Sequence, residues 1–242
     1  MIREYSIFLS LAFVAEIIGT VSGFGSSILF IPLASLFFDF KTVLGITAVF
    51  HVFSNVSKIF LFRNGVDKNI ALKLGIPAVV FVIIGALITT RIQTQVMDLL
   101  MSVALLVLSV FLLFNMRSRI EQSNFNLVAG GTVSGFLAGL VGTGGAVRGI
   151  TIAAFQLPKD VFIATSAIID LGVDASRSII YVYNGYFPRN LVLLVPFLMG
   201  IGLVGSYVGK LLLRYISEQL FRYIVVVTIV ATALLQLIKY IT

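Results

Sequence analysis

The sequence predicts an all-α, polytopic membrane protein, and three observations carry that reading. Of its 242 residues, 59% are apolar and only 11% charged, with a mean hydropathy of +1.11. The apolar residues come in blocks of about 20 or longer, the length a helix needs to cross a bilayer, so the chain has room for roughly seven to ten passes and little else. Two of those blocks are over-long and interrupted by glycines.

Read between charged punctuation, the blocks run 5–38, 43–62, 71–90, 95–115, 126–157, 161–182, 190–212 and 217–240. Blocks 5–38 and 126–157 are too long for one straight pass at about 1.5 Å per residue. Their middles read Ser22-Gly23-Phe24-Gly25-Ser26-Ser27 and Gly142-Thr143-Gly144-Gly145. Glycine is a poor helix former and readily takes positive φ, so each cluster is where a helix stops and restarts. Unwound backbone at membrane depth must be covered by protein or line a polar cavity. Each block is therefore predicted to be a broken helical hairpin, followed by three ordinary spans. The stretch after Arg3 reads as a span and not a cleaved leader, because Glu4 and Glu16 punctuate it and apolar sequence continues beyond.

Sliding the chain along itself exposes a duplication at a shift of 119 residues. It pairs Gly23 with Gly142, Gly25 with Gly144, Ile31 with Ile150, Ala34 with Ala153, Ala48 with Ala167, Ser57 with Ser176 and Pro77 with Pro196. The expected units are a first transmembrane repeat over 1–119 and a second over 120–242, within one integral membrane domain. If each broken block returns to its starting side, the repeats are inverted. Fourteen loop and interface cations then divide as five (Arg3, Lys41, Arg91, Arg189, Lys239) against nine (Arg63, Lys68, Lys73, Arg117, Arg119, Lys159, Lys210, Arg214, Arg222). A single crossing by each block would divide the same residues eight against six. The positive-inside rule favours inversion, with both termini outside the cytoplasm.

Smaller features have structural readings. Gly131, Gly135 and Gly139 form a small-xxx-small stripe that lets helix backbones approach, as do Ala15, Gly19 and Gly23. Tyr5, Tyr181, Tyr183, Tyr186, Tyr207, Tyr215, Tyr223 and Tyr240 are the expected interface anchors in a chain without Trp.

Seven ionisable residues lie deep in apolar blocks: Glu16, His51, Lys58, Arg148, Asp170, Asp174 and Arg177. Each is costly there and invites a functional explanation. The 119 shift superposes His51 on Asp170, Asn55 on Asp174 and Lys58 on Arg177. Spacings of four and three residues put each triplet on one helical face. The pattern suggests a central anion site where Lys58, Arg148 and Arg177 supply positive charge and Asn55, Ser26, Ser27 and Thr143 supply polar groups. Backbone at Gly23, Gly25, Gly142, Gly144 and Gly145 would donate hydrogen bonds, and helices restarting after the breaks would aim positive dipole ends at the same place. His51, Asp170 and Asp174 are the candidates for proton coupling. The structural alternative is that Asp174 and Arg177 simply neutralise each other as an i, i+3 pair. Glu16 faces Gly135 under the shift and receives no role, although a pairing with Lys58 is one of its options.

Other function classes fall away. The net charge of +7 is scattered and forms no stripe, which excludes nucleic acid as a partner. With no cysteine and a single histidine, neither a metal site nor a cofactor is expected. Phosphate-loop motifs are absent. A serine protease would need a base beside a nucleophile turn, and an aspartyl enzyme two carboxylates facing from different elements, whereas Asp170 and Asp174 share one helix. The chain is therefore not expected to be an enzyme. The partners expected are a small anionic substrate, protons or another coupling ion, and the bilayer.

The two Gly-broken hairpins, each followed by a polar helix, resemble the sulfite exporter TauE/SafE family of bacterial and archaeal membrane proteins. The carrying residues are Gly23-Phe24-Gly25-Ser26-Ser27 with Pro32 beyond, Gly139-Leu140-Val141-Gly142-Thr143-Gly144-Gly145, and Asn64-Gly65 and Asn184-Gly185. The resemblance implies secondary transport of sulfite or short sulfonates, sulfoacetate among them, across the cytoplasmic membrane. Family members usually continue the second cluster toward a proline, where this chain has Arg148 and Thr151, and carry a Gly-Gly pair where this chain has Ser26-Ser27. An anion channel and a non-transporting accessory subunit are the alternative expectations.

Overall fold

The computed structural model describes residues 2–63, 65–93, 121–213, 215 and 217, with isolated positions between 96 and 110. Most of the expected spans 95–115 and 217–240 lies outside the described residues, as do Asn64, Arg117, Arg119, Arg214, Tyr223, Arg222, Lys239 and Tyr240. Among the described residues every regular element is helical: α1 (Ile2–Ser22), α2 (Ser27–Ala34), α3 (Phe40–Leu61), α4 (Lys68–Thr89), α5 (Asn124–Val141), α6 (Gly145–Ala153), α7 (Lys159–Tyr183), and a 3₁₀ turn (Arg189–Leu194) leading into α8 (Val195–Leu212).

Helix starts follow local chemistry. Asp39 accepts from the Thr42 amide ahead of α3, Asp67 from Ile70 ahead of α4, and Ser123 from Asn126 ahead of α5. Among the described residues, five helices are long and apolar enough to cross a membrane: Arg3–Ser22, Phe40–Leu61, Lys68–Thr89, Asn124–Val141 and Arg189–Leu212. Helix α7 has 25 residues, about 37 Å of helix, and it is the buried Asp170, Asp174 and Arg177 that take it out of the apolar class.

Both long blocks break where the glycines stand and fold back. The α1–α2 break holds Gly23 at φ 68° and Gly25 at φ 86°, and Gly142 ends α5 in the left-handed region at φ 82°, a position that favours glycine. After the first break the chain returns along α1, so that Phe8 packs on Phe30 at 5.6 Å and on Phe38 at 5.2 Å between ring centroids. After the second, α6 returns along α5, with Gly144 against Ser134 and Gly130 against Thr151. Helices α2 and α6 have 8 and 9 residues, about 12–14 Å, too short to cross a bilayer.

Two further packings position the site. Helices α4 and α5 run side by side with backbones nearly touching, since Gly131, Gly135 and Gly139 face the carbonyls of Leu74, Ala78 and Val82. Helices α3 and α7 run antiparallel. The start of α3 meets the end of α7 where Gly45 faces the Tyr186 carbonyl, and the far ends meet where the Asp67 amide donates to Thr165 at 3.0 Å. The helices cross at Asn55 and Asp174, whose side chains bond at 2.8 Å across a separation of 119 residues. Gly142 likewise packs on Leu44 and Gly23 on Ile163, two contacts that the same shift interchanges.

One expectation about the surface is corrected. Tyr181 and Tyr186 are not interface anchors: they are buried and stacked at 5.4 Å, with hydroxyls donating to the Gly139 and Thr89 carbonyls. Tyr183, Tyr207 and Tyr215 are exposed.

Candidate functional site

Both breaks and both polar faces of α3 and α7 converge on one cavity in the protein interior. Its lining includes Gly25, Ser26 and Ser27 from the first break, Gly142, Gly144 and Gly145 from the second, His51, Asn55 and Lys58 from α3, Arg148 from α6, and Asp170, Asp174 and Arg177 from α7. The cavity is narrow, with room for about one water molecule. Because Gly25, Ser26, Ser27, Gly144 and Gly145 are the first residues of α2 and α6 or immediately precede them, the positive ends of both short helices point at it. Neither start carries a side-chain cap.

Among the described residues, each buried cation has a carboxylate partner. Lys58 pairs with Glu16 of α1 at 2.8 Å. Arg148 pairs with Asp170 and donates through Nε to Ser166 at 3.2 Å and through Nη2 to the Phe24 carbonyl at 3.5 Å. Arg177 holds Asp174 Oδ1 through both Nε and Nη2 at 2.7 Å. Its Nη1 donates to the carbonyls of Ala138 at 3.1 Å and Gly142 at 2.7 Å, fastening the second break to α7. Lys58, Arg148 and Arg177 are 5%, 3% and 1% exposed, so each pair is out of bulk water and would be strongly destabilised by losing one partner. The Asp174–Arg177 pair foreseen as self-neutralising is thus present, and it also lines the cavity.

Two of the residues expected at the site lie off it. Gly23 packs against Phe162 and gives its carbonyl to Ser166 Oγ at 3.1 Å, serving the shape of the break and not the cavity wall. Thr143 is buried beside the wall, and its hydroxyl has no hydrogen-bond partner among the described residues. Sequence reasoning left out Glu16, which is fully buried at the centre of a hydroxyl cluster. Its Oε1 meets Ser54 at 2.6 Å, Ser206 at 2.9 Å and Thr20 at 3.1 Å besides Lys58, and its Oε2 accepts from Ser26 at 2.7 Å. A signal existed in the i, i+4 hydroxyls, Thr20 after Glu16 and Ser54 before Lys58, but Ser206 lies 190 residues away. Ser166, which ties Arg148 to the first break, was also missed.

A bundle of spanning helices around two broken hairpins, with cations buried at the breaks, defines a polytopic membrane transporter. The chain belongs to the sulfite exporter TauE/SafE family, whose model matches residues 8–235. It is also similar to a probable membrane transporter protein of Methanocaldococcus jannaschii, at 27% identity over 76% of this chain and 79% of that relative. No solved structure matches the chain.

Proposed function

We propose that the protein is a secondary transporter of the cytoplasmic membrane that carries a small anion, a sulfur oxyanion or short organosulfonate, through this cavity. The observation that carries the reading is the convergence of three buried cations from three helices, Lys58, Arg148 and Arg177, on one space flanked by two helix N-termini. Planar guanidinium groups suit the paired oxygens of such an anion, and Ser26, Ser27 and Asn55 add donors. The cavity is too small for the anion as it stands, so the two breaks must part to admit it. The arrangement proposed to permit this is two inverted repeats, 1–119 and 120–242. It is supported by the fold-back of both hairpins and by the antiparallel crossing of α3 and α7 at Asn55 and Asp174.

Proton coupling is the second part of the proposal, because Lys58, Arg148 and Arg177 each already have a carboxylate beside them. A proton taken up in this cluster frees a cation for the anion, and His51, Asp170 and Asp174 line the cavity where that exchange takes place.

The test is thermal unfolding of the purified protein against sulfite, thiosulfate, sulfoacetate, taurine, sulfate and acetate. A ligand at 100 times its Kd adds about 2.7 kcal/mol, which for a chain of this size is about 5–11 °C. A shift with one sulfur anion that vanishes in Arg148→Ala is the expected result. No shift with any of the six in folded protein rejects the substrate class, and a shift unaffected by Arg148→Ala rejects the site.

A further inference from the structure

We propose that Glu16 is the seat of a transported proton, and that protonating it releases Lys58 to a monovalent anion in the cavity. This rests on the anion reading above and names the group that couples it.

Lys58 lines the cavity, whereas Glu16 does not; it holds Lys58 from behind the wall, at 0% exposure. Lys58, Ser54, Ser206 and Thr20 all crowd Glu16 Oε1 within 3.1 Å, four donors on an oxygen with two lone pairs. Lys58 also donates to Ser54 at 2.9 Å, so the ammonium is shared between carboxylate and hydroxyl and not held by Glu16 alone. Hydroxyls both donate and accept, so the hydroxyls of this shell can turn to accept from a protonated Glu16.

The route to Glu16 is drawn by one serine. Ser26 Oγ has a single hydrogen and gives it to Glu16 Oε2 at 2.7 Å, so its 2.9 Å contact with His51 Nε2 is a bond donated by the imidazole. Ser26 stands at the N-cap of α2 yet makes no capping bond, its hydroxyl being committed to this chain. His51 lines the cavity, so the relay leads from the cavity through His51 and Ser26 to Glu16. A proton from water binds the free ring nitrogen of His51 and the Nε2 proton passes to Ser26 Oγ. The Ser26 hydroxyl proton then passes to Glu16 Oε2, leaving His51 neutral and Glu16 a neutral acid.

The charges fix the stoichiometry. With Glu16 ionised, the three cations are balanced by Glu16, Asp170 and Asp174. With Glu16 neutral, one positive charge is left over at the wall, and one monovalent anion cancels it. Proton and anion then cross together as an electrically neutral load. Among the described residues, the groups facing Glu16 are Thr20 from its own helix, Ser26 from α2, Ser54 and Lys58 from α3 with His51 behind Ser26, and Ser206 from α8. Arg148, Asp170, Asp174 and Arg177 face the cavity from α6 and α7 and are paired with one another.

The experiment titrates the full-length protein with sodium methanesulfonate and, separately, sodium sulfite, following binding by thermal shift. Proton uptake is read with an indicator dye in weak buffer during the methanesulfonate titration. Wild type should take up about one proton per methanesulfonate bound, and Glu16→Gln about none while still binding it. In proteoliposomes, wild-type uptake should ignore membrane potential and follow a pH gradient, and Glu16→Gln should do the reverse. Difference infrared spectra of wild type should show a newly protonated carboxylic acid on anion binding, with its band moved or lost in Ser26→Ala, which keeps every charge in place. Binding by wild type without proton uptake, undiminished uptake in Glu16→Gln, a requirement for sodium in place of protons, or a carboxylic acid band unmoved in Ser26→Ala each overturns the proposal while leaving the anion site standing. Failure of wild type to bind either anion strikes the anion reading itself, and this proposal with it.

Discussion

Replacing Arg177 by methionine removes both the ion pair within α7 and the bonds that fasten that helix to the second break. The guanidinium is 1% exposed and makes four bonds: two to Asp174 Oδ1 and one each to the carbonyls of Ala138 and Gly142. Stranding the buried Asp174 carboxylate costs about 3–5 kcal/mol. For a chain of this size each kcal/mol moves the unfolding midpoint about 2–4 °C, so Arg177→Met should lower Tm by about 6–20 °C. Adding Asp174→Leu removes the stranded charge and should recover the part of the loss that the charge causes, because buried pairs replaced whole by apolar groups are often neutral or better. The recovery stays incomplete, since the Asn55 amide loses its 2.8 Å bond to Asp174 and the Ala138 and Gly142 carbonyls lose their Arg177 donor in the double variant. The assay is thermal unfolding of both single variants and the double in detergent, read as a double-mutant cycle. A single variant within about 2 °C of wild type would mean that the pair carries less than about 1 kcal/mol, and the buried-charge argument would fail. A double variant as unstable as the sum of the singles would fail it too, by showing that the two side chains do not act on each other.

Two further substitutions test the packing. Gly135→Leu places a side chain against the Ala78 carbonyl and should prevent α4 and α5 from closing, seen as loss of the monodisperse peak in gel filtration. Tyr181→Phe removes a 2.6 Å bond to the Gly139 carbonyl and should cost about 1–3 kcal/mol in thermal unfolding, because that carbonyl is left with a share of the one Thr89 hydroxyl hydrogen, which also faces the Gly85 and Leu140 carbonyls.

The fold was legible wherever one physical rule dominated. Block length and the glycine clusters at the two breaks located the end of α1, the start of α2, the end of α5 and the start of α6, because Gly23, Gly25 and Gly142 take the positive φ that closes a helix. The i, i+4, i+7 spacing of His51, Asn55 and Lys58, and of Asp170, Asp174 and Arg177, placed six polar side chains on two faces, and all six line the cavity. What periodicity does not carry is which face meets which. Arg148 had no evident partner in the string, since its carboxylate comes from another helix that a bend alone brings near. The 119 shift made Asn55 and Asp174 equivalent, but that equivalent residues touch depends on where the two helices cross. Glu16 was set aside because its counterpart is Gly135, and an argument from symmetry has no means of seeing a site that only one half contains.

That asymmetry bears on how the cavity opens. The two breaks are joined at Phe24, whose carbonyl accepts from Arg148 and packs on Gly145, and whose ring lies against Gly149. Any side chain at Gly149 would collide with that ring, so the close seat exists only because α6 carries glycine there. A cavity with room for about one water admits a larger anion only if this contact parts. Phe24→Ala should therefore favour the parted state. If only about 1.4 kcal/mol of the ring's packing favours closure, the open population rises about tenfold. The chain contains no cysteine, so a single Ala138→Cys at the cavity wall reports access through its rate of labelling by a charged thiol reagent. Labelling should quicken about tenfold when Phe24→Ala is added. An unchanged rate in folded protein would mean that Phe24 fills space without holding the breaks together, and the opening would have to be sought in the Arg177 bonds to Ala138 and Gly142.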